Sequence, residues 1–571
     1  MKMSSEYVGK IEVLFRKSAP VEQHPGYQPL NEQKYVLQKG HVEREGTMPL
    51  ACDIMVEQDV AVRMRDGVTI RVDIYRPVDE RNCPAIIGWS PYGKRGSLLS
   101  TDIFRHPTRM DVPQSREDGL NKFEGPNPAY WVANGYAVIA PDTRGTFNCE
   151  GDIRAWGIQE PMDEYDLIEW VAAREWSNGK VGLTGNSWLA MSQWFVASMR
   201  PPHLAAIAPW EGACDVYRDI SCRGGIPELF FAEGIFSRLC GNGRTEDIVA
   251  MTRAYPLFNE YWESKIADHE KTGVPAYVVA SWSNLLHTHG TFDGWRRIGS
   301  EQKWLRIHNT HEWTDYYNPA NVEDLRRFFD RFLKGLDNGW DATPRVRLTV
   351  LDPGNQDTLY RAEQDFPLAR QEFVPLYLGR SEKGGYLGMC PVSSEDCCIH
   401  EGTDPDGSTF RIRCTNDTEI TGYMKLKLWV EARGNDDMDI FAFVRKIDRD
   451  GKVQEVPVVT DRTHVGPNGR LRVSLRATDP VRSTESEPRH LFTREEKLKP
   501  GEIVPIEIGF WPYSMRWRAG ETLELVINGA DLLVRPEFPQ LPPIRTINDG
   551  EHVVHLGGRF DSHLLVPMIP N

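Results

Sequence analysis

Positive charge is scarce in this sequence. Against 82 Asp and Glu there are 67 Lys and Arg, a formal net charge of -15 over 571 residues. Such a surface gains little from a phosphate backbone, so nucleic acid is not an expected partner. Long apolar runs are missing too. No stretch reaches the ~18 apolar residues of a membrane-spanning helix, so no membrane partner is expected. No apolar core follows the basic residue of the first ten positions, which excludes a secretory leader as an expectation. Ten cysteines are scattered with no C-x-x-C pair, and Cys397 and Cys398 are adjacent. Without an export signal they read as reduced thiols of a cytoplasmic protein. No G-x-G-x-x-G opens a helix after the first strand, which removes a dinucleotide fold. His287, His289, His308 and His311 form no H-E-x-x-H and have no paired cysteine beside them. Neither a metal nor an organic cofactor is therefore expected.

What is present is ordinary globular composition, with 40% hydrophobic residues and 17 Trp, in a chain long enough for two or more domains. The first 57 residues are polar and irregular and read as an N-terminal arm on the surface. A hairpin follows, with strands over 60–65 and 68–75 about the Asp66-Gly67 turn. The runs PAIIGW (84–89) and YAVIA (136–140) are apolar throughout, as in strands buried on both faces. KVGLT (180–184), AYVVAS (276–281) and KWLRIH (303–308) read as further strands of the same sheet. Helical spacing marks 161–173, the segment after Ser187, and 321–333. Alternating strands and helices indicate a parallel sheet covered on both sides, over 58–345. Some 70 residues at about 214–271, rich in aromatics, exceed what one βα connection needs. They read as a helical cap. From 346 to 571, period-2 alternation such as Leu426, Leu428, Val430 and Leu523, Leu525, Ile527 points to an all-β sandwich or jelly roll.

The chemistry is best signalled at Gly185-Asn186-Ser187-Trp188-Leu189-Ala190, between a short apolar strand and a helix. A nucleophile elbow has this setting and the pattern G-x-S-x-G. Here Leu189 replaces the last glycine. The alternative is a serine capping the helix N-terminus, which Ser does well.

Several separated segments resemble the cocaine esterase/X-prolyl dipeptidyl peptidase family, the CocE/NonD hydrolases. IEWVAAREWSNGKVGLTGNS (168–187) resembles the approach to that family's nucleophile, and RMRDGVTIRVDIYRP (63–77) its opening hairpin. Ser90-Pro91-Tyr92 resembles its oxyanion loop, Asp142-Thr143-Arg144-Gly145 its D-x-R-G turn, and RRFFDRFLKG (326–335) its helix after the histidine. The stretch Arg518-Ala519-Gly520-Glu521 with Leu523 resembles a late jelly-roll strand. The resemblance covers roughly 58–565 and implies an α/β-hydrolase domain followed by a galactose-binding-like sandwich. It implies Ser187 as acylated nucleophile, with the Trp188 N–H and the Tyr92 hydroxyl as oxyanion hole. His308, which ends its strand, is the preferred base, with His311 the alternative. The implied substrate is a small ester or amide, or a short peptide, and homo-oligomerisation is left open.

One position breaks the pattern. Asn284 stands where the family has its triad acid. Either Asn284 orients the histidine in a slow hydrolase, or Asp293 or Asp315 supplies the charge, or the pocket serves another end. Two alternatives to a hydrolase stay open: an acyltransferase on the same site and a catalytically silent binding protein. Glu211 and Asp215, after the elbow helix, read as solvated loop acids, with binding of a substrate ammonium as the alternative.

Overall fold

The computed structural model describes residues 6–24, 27–79, 81–95, 112–456, 466–531 and 544–570. Its first half is built on an 11-stranded sheet. Strands β1 (Gln33–Leu37), β2 (Ile54–Arg63) and β3 (Thr69–Pro77) pair antiparallel at one side. They lead to β4 (Cys83–Ile87), β5 (Ala137–Pro141), β6 (Ser177–Asn186), β7 (Leu204–Trp210), β8 (Ala276–Ser281), β9 (Lys303–His308) and β10 (Val346–Val350), which run parallel. An antiparallel β11 (Thr358–Glu363) closes the far edge. Across the sheet the order is β11-β10-β9-β8-β7-β6-β4-β5-β3-β2-β1. The order reverses where β4 lies between β5 and β6. At such a switch point the connections leave to opposite faces and open a crevice at the strands' carboxyl ends. Every residue of β4, β5 and β8 is buried, as the unbroken apolar runs require.

Helices α1 (Pro128–Ala133), α2 (Gln159–Ala172), α3 (Trp188–Ser198), α4 (Thr288–Arg297), α5 (Glu312–Tyr316) and α6 (Pro319–Leu333) connect and cover these strands. Two features differ from the sequence reading. The strand β7, LAAIAPW, is rich in Ala and Pro, weak strand formers; it owes its place to pairing with β6 and β8 on either side. The N-terminal residues do not all lie on the surface as an arm, because β1 and the start of β2 belong to the sheet, which also runs on past residue 345 to Glu363.

The cap carries short helices at Val216–Ser221, Phe230–Phe236, Ile248–Ala254 and Glu260–Glu263, and a strand Arg244–Glu246 that pairs back onto Phe15–Lys17. The second half is a jelly-roll domain, whose 14 strands run from Glu372–Ser381 to His563–Ile569. Leu426, Leu428, Val430, Leu523, Leu525 and Ile527 are all buried. The cap is locked to this domain. Asp215, far from being solvated, is buried and accepts from Arg218 at 2.9 Å and from Arg489 of the jelly roll at 3.2 Å. The Arg223 guanidinium lies 3.7 Å over the Trp511 ring. Among the described residues no helix is long and apolar enough to cross a membrane.

Helix α6 lies close against β6 because Gly182 has no side chain there. A Cβ at 182 would fall 2.9 Å from Phe329 and 3.0 Å from Leu333. Gly182→Ala should therefore destabilise the chain by about 1–3 kcal/mol, the usual cost of overpacking, read as a lower denaturation midpoint at unchanged slope.

Candidate functional site

Strand β6 ends at Asn186 and α3 begins at Trp188, so Ser187 is the whole turn. Its backbone sits at φ 56°, ψ -119°, a conformation an L-residue holds only when its surroundings impose it. Two backbone hydrogen bonds do so. Asn186 N–H donates to the Glu124 carbonyl at 3.3 Å and Ser187 N–H to the Glu211 carbonyl at 3.1 Å. Glu124 and Glu211 themselves have positive φ, 61° and 58°. Gly185, at φ 140°, is obligatory in a different way, since a Cβ there would lie 2.4 Å from Leu189 Cβ. Leu189 thus occupies space that the glycines leave at 185 and 88. The Ser187 side chain makes no cap hydrogen bond to α3. It points instead to an imidazole.

That imidazole is His287, whose Nε2 is 3.1 Å from Ser187 Oγ. The ring is buried, and burial pushes it down to about 3, so it is neutral at physiological pH. Its other nitrogen, Nδ1, accepts the Ala213 backbone N–H at 3.1 Å. A neutral imidazole accepting at Nδ1 carries its proton on Nε2, so in the resting site His287 donates to Ser187. The ring is held from behind by its own backbone. Asn284 Oδ1 accepts from the N–H groups of Leu286 (3.0 Å) and His287 (3.1 Å), while Asn284 Nδ2 donates to Glu312 Oε2 at 3.0 Å. Asn284 therefore fixes the turn that presents His287 and does not touch its ring nitrogens.

The other histidines have other partners. His308 Nε2 is 3.0 Å from Glu211 Oε1 and 3.6 Å from Asp315 Oδ2; its Nδ1 accepts the Thr310 N–H. His311 caps α5 through Nδ1 and lies against Trp313 at 4.6 Å. His289 pairs with Asp219 at 2.6 Å. Asp315 is held in a two-pronged pair by Arg306 (2.7 and 2.5 Å), and Asp293 by Arg296 and Arg297. Sequence reasoning singled out His308 and weighed His287 only as a metal ligand. The one signal for His287 was its place just after the strand that precedes the expected acid, three residues beyond Asn284.

Tyr92 and Trp188 flank the serine. The Tyr92 phenol is within hydrogen-bonding reach of Ser187; burial, with Glu124 nearby, holds it well above the ordinary tyrosine range, so it stays a donor. The rings of Tyr92 and Trp188 meet edge to face at 5.9 Å, and Trp156 and Phe236 extend the aromatic wall over Trp188. Trp194 and Trp210 are fully buried in the core; the Trp194 indole donates to the Gly212 carbonyl and Trp210 packs on Tyr277 and Tyr316. Below the serine lie three buried carboxyls. Burial raises Glu124 to about 8, with the Trp313 indole N–H at 2.9 Å as counterweight. Burial and the nearby Glu124 and Glu211 hold Glu312 well above the carboxylate range. Glu211 is fully buried, not a solvated acid.

The comparisons agree with this architecture. Residues 66–237 match the model of the X-Pro dipeptidyl-peptidase (S15) family, and 338–565 that of the X-Pro dipeptidyl-peptidase C-terminal non-catalytic domain. A cocaine esterase from a Rhodococcus species is 25% identical over 420 residues, 61% of this chain and 68% of its own. A Mycobacterium bovis protein named "Putative serine esterase" is 30% identical over 580 residues, covering 82% of this chain and 90% of its own. The crystal structure of a CocE/NonD family hydrolase from Staphylococcus aureus superposes with a TM-score of 0.88 at 33% identity, over 97% of this chain and 99% of that one. With two thirds of its length and both domains accounted for, the chain belongs to the CocE/NonD family of serine hydrolases.

Proposed function

We propose that the protein cleaves a carboxylic ester through an acyl-Ser187 intermediate, with His287 as the proton-transfer group and the Trp188 N–H and Tyr92 hydroxyl as oxyanion donors. The observation that carries this reading is the 3.1 Å contact between Ser187 Oγ and His287 Nε2 at the tip of a strained elbow. Ser187 Oγ attacks the carbonyl carbon, its proton passes to Nε2, and the imidazolium returns that proton to the departing alkoxide. Water then repeats the sequence on the acyl-enzyme and releases the acid.

The resting tautomer sets the pace. To accept a proton at Nε2, the ring must first carry its proton at Nδ1, and the Ala213 N–H must give up its acceptor. A buried donor left unsatisfied costs about 1–3 kcal/mol, equivalent to a rate penalty of about 5- to 150-fold. No carboxylate at 284 offsets it. Such a site favours esters over amides, because an alkoxide leaves with less help from an acid than an amine does. The named relatives, a cocaine esterase and a serine esterase, act on the same bond class.

A fluorophosphonate probe should label Ser187 and fail on Ser187→Ala. Labelling should slow about 10²- to 10⁴-fold in His287→Gln, the range for loss of a general base, and far less in His308→Gln; the opposite ranking would move the base to His308. Nitrogen-15 NMR should find His287 neutral and protonated at Nε2 throughout pH 5–8, with a charged ring at pH 6 as the contrary result. Asn284→Asp should reduce kcat/KM by about tenfold, because it removes the Nδ2 donor to Glu312 and adds a buried charge with no cation beside it, a change of about 1.4 kcal/mol. A rise in activity would show that position 284 wants the acid.

A further inference from the structure

Glu160, in the first turn of α2, is a buried carboxyl, raised by burial to about 7, and three N–H donors offset that burial. Its Oε1 accepts the indole N–H of Trp188 at 2.7 Å and that of Trp89 at 3.0 Å; its Oε2 accepts the Trp156 backbone N–H at 2.6 Å. The two indoles belong to the two segments that meet at the serine. Trp188 is the residue after Ser187. Trp89 follows β4 and stands three residues before Tyr92. One oxygen atom thus ties together chain segments 99 positions apart in sequence.

We infer that Glu160 is a positioning residue for the oxyanion hole, setting the distance between the Trp188 N–H and the Tyr92 hydroxyl. This rests on the reading of Ser187 given above. Electrostatic stabilisation of a tetrahedral intermediate needs both donors aimed at one point, and misplacement by a fraction of an ångström forfeits much of it. An indole N–H is only a donor, so neither tryptophan can hold the other, and a shared acceptor is the simplest device that couples them. A carboxylate meets all three donors at once. An amide at 160 cannot, because its NH2 group would face either the Trp156 N–H or the indoles. Ring packing holds the tryptophans in general place: Trp156 and Trp188 are 4.2 Å apart, and Tyr92 meets Trp188 at 5.9 Å. The carboxylate adds the register that packing leaves loose.

The test uses the full chain, p-nitrophenyl esters and phenylboronic acid. The boronic acid accepts the Ser187 oxygen lone pair to form a B–O bond while the serine proton passes to His287, and its tetrahedral anion reports on the donor pair. Glu160→Gln should lower kcat by about 10- to 100-fold, below the full loss of one oxyanion donor, with KM within threefold and boronate inhibition weakened as kcat falls. Trp188→Phe and Trp89→Phe, which keep an aromatic ring but delete the N–H with the pyrrole half of the indole, should each reproduce part of the loss. Glu160→Gln combined with Trp188→Phe should be no worse than Glu160→Gln alone. Unchanged kcat and boronate inhibition in either phenylalanine variant would overturn the assignment, as would multiplicative losses in the double variant or a loss confined to thermal stability. Should Ser187→Ala stay active, the reading of Ser187 itself fails; an inert Ser187→Ala beside a fully active Glu160→Gln removes only the role of Glu160.

Discussion

Three non-glycine residues in the left-handed region clasp one another at the centre of this molecule. The Ser187 turn is held by the carbonyls of Glu124 and Glu211, each itself bent to positive φ. Each such residue costs on the order of 1–3 kcal/mol and persists only where its surroundings over-determine it. The clasp has a chemical result. The residues whose carbonyls grip the elbow also carry carboxyls, and these are turned into the interior below the serine. Glu312 joins them from α5. Three acids share one dry place, where burial disfavours charge, and an acid at position 284 would put a fourth carboxyl beside Glu312. An amide there donates to Glu312, where a carboxylate would give up that donor and bring a buried charge. The histidine turn is therefore built around a neutral residue, and the imidazole takes its second hydrogen bond from a peptide group.

The same crowding makes protons part of the architecture. Burial raises Glu124 to about 8 and holds Glu312 well above the carboxylate range, so these carboxyls hold protons at neutral pH. Lys122, lowered by burial to about 7, donates to the carbonyls of Ser90 and Pro141. It bridges the start of the Tyr92 loop to the end of β5. The active face is thus framed by groups whose charge is set by burial more than by their identity.

Much of the frame was legible in the sequence. The strands β4, β5 and β8 announce themselves as short apolar runs, and helix α6 by its spacing, because burial on both faces or on one stripe dictates those patterns. The elbow was legible from Gly185 and Ser187 between a strand and a helix. The imidazole partner was not. His287 meets Ser187 only because α4 starts against the Ala213 turn, a juxtaposition of segments 74 residues apart, and nothing local to H-T-H-G reports it. Glu211 and Asp215 look like surface acids in one dimension; the carbonyl grip and two arginines put them inside. Strand β7 was hidden because Ala and Pro advertise no strand, and its pairing is supplied by neighbours.

Leu189 stands where the usual elbow pattern has its second glycine. Its side chain fits because Gly88 and Gly185 both yield to it, while Gly212 lets the opposite wall approach Ala190. The requirement at a tight turn of this kind is a volume, and a volume can be vacated from any of the segments that border it. A pentapeptide signature tests one distribution of that vacancy; chains that hollow out the facing segments satisfy the same geometry and escape the signature.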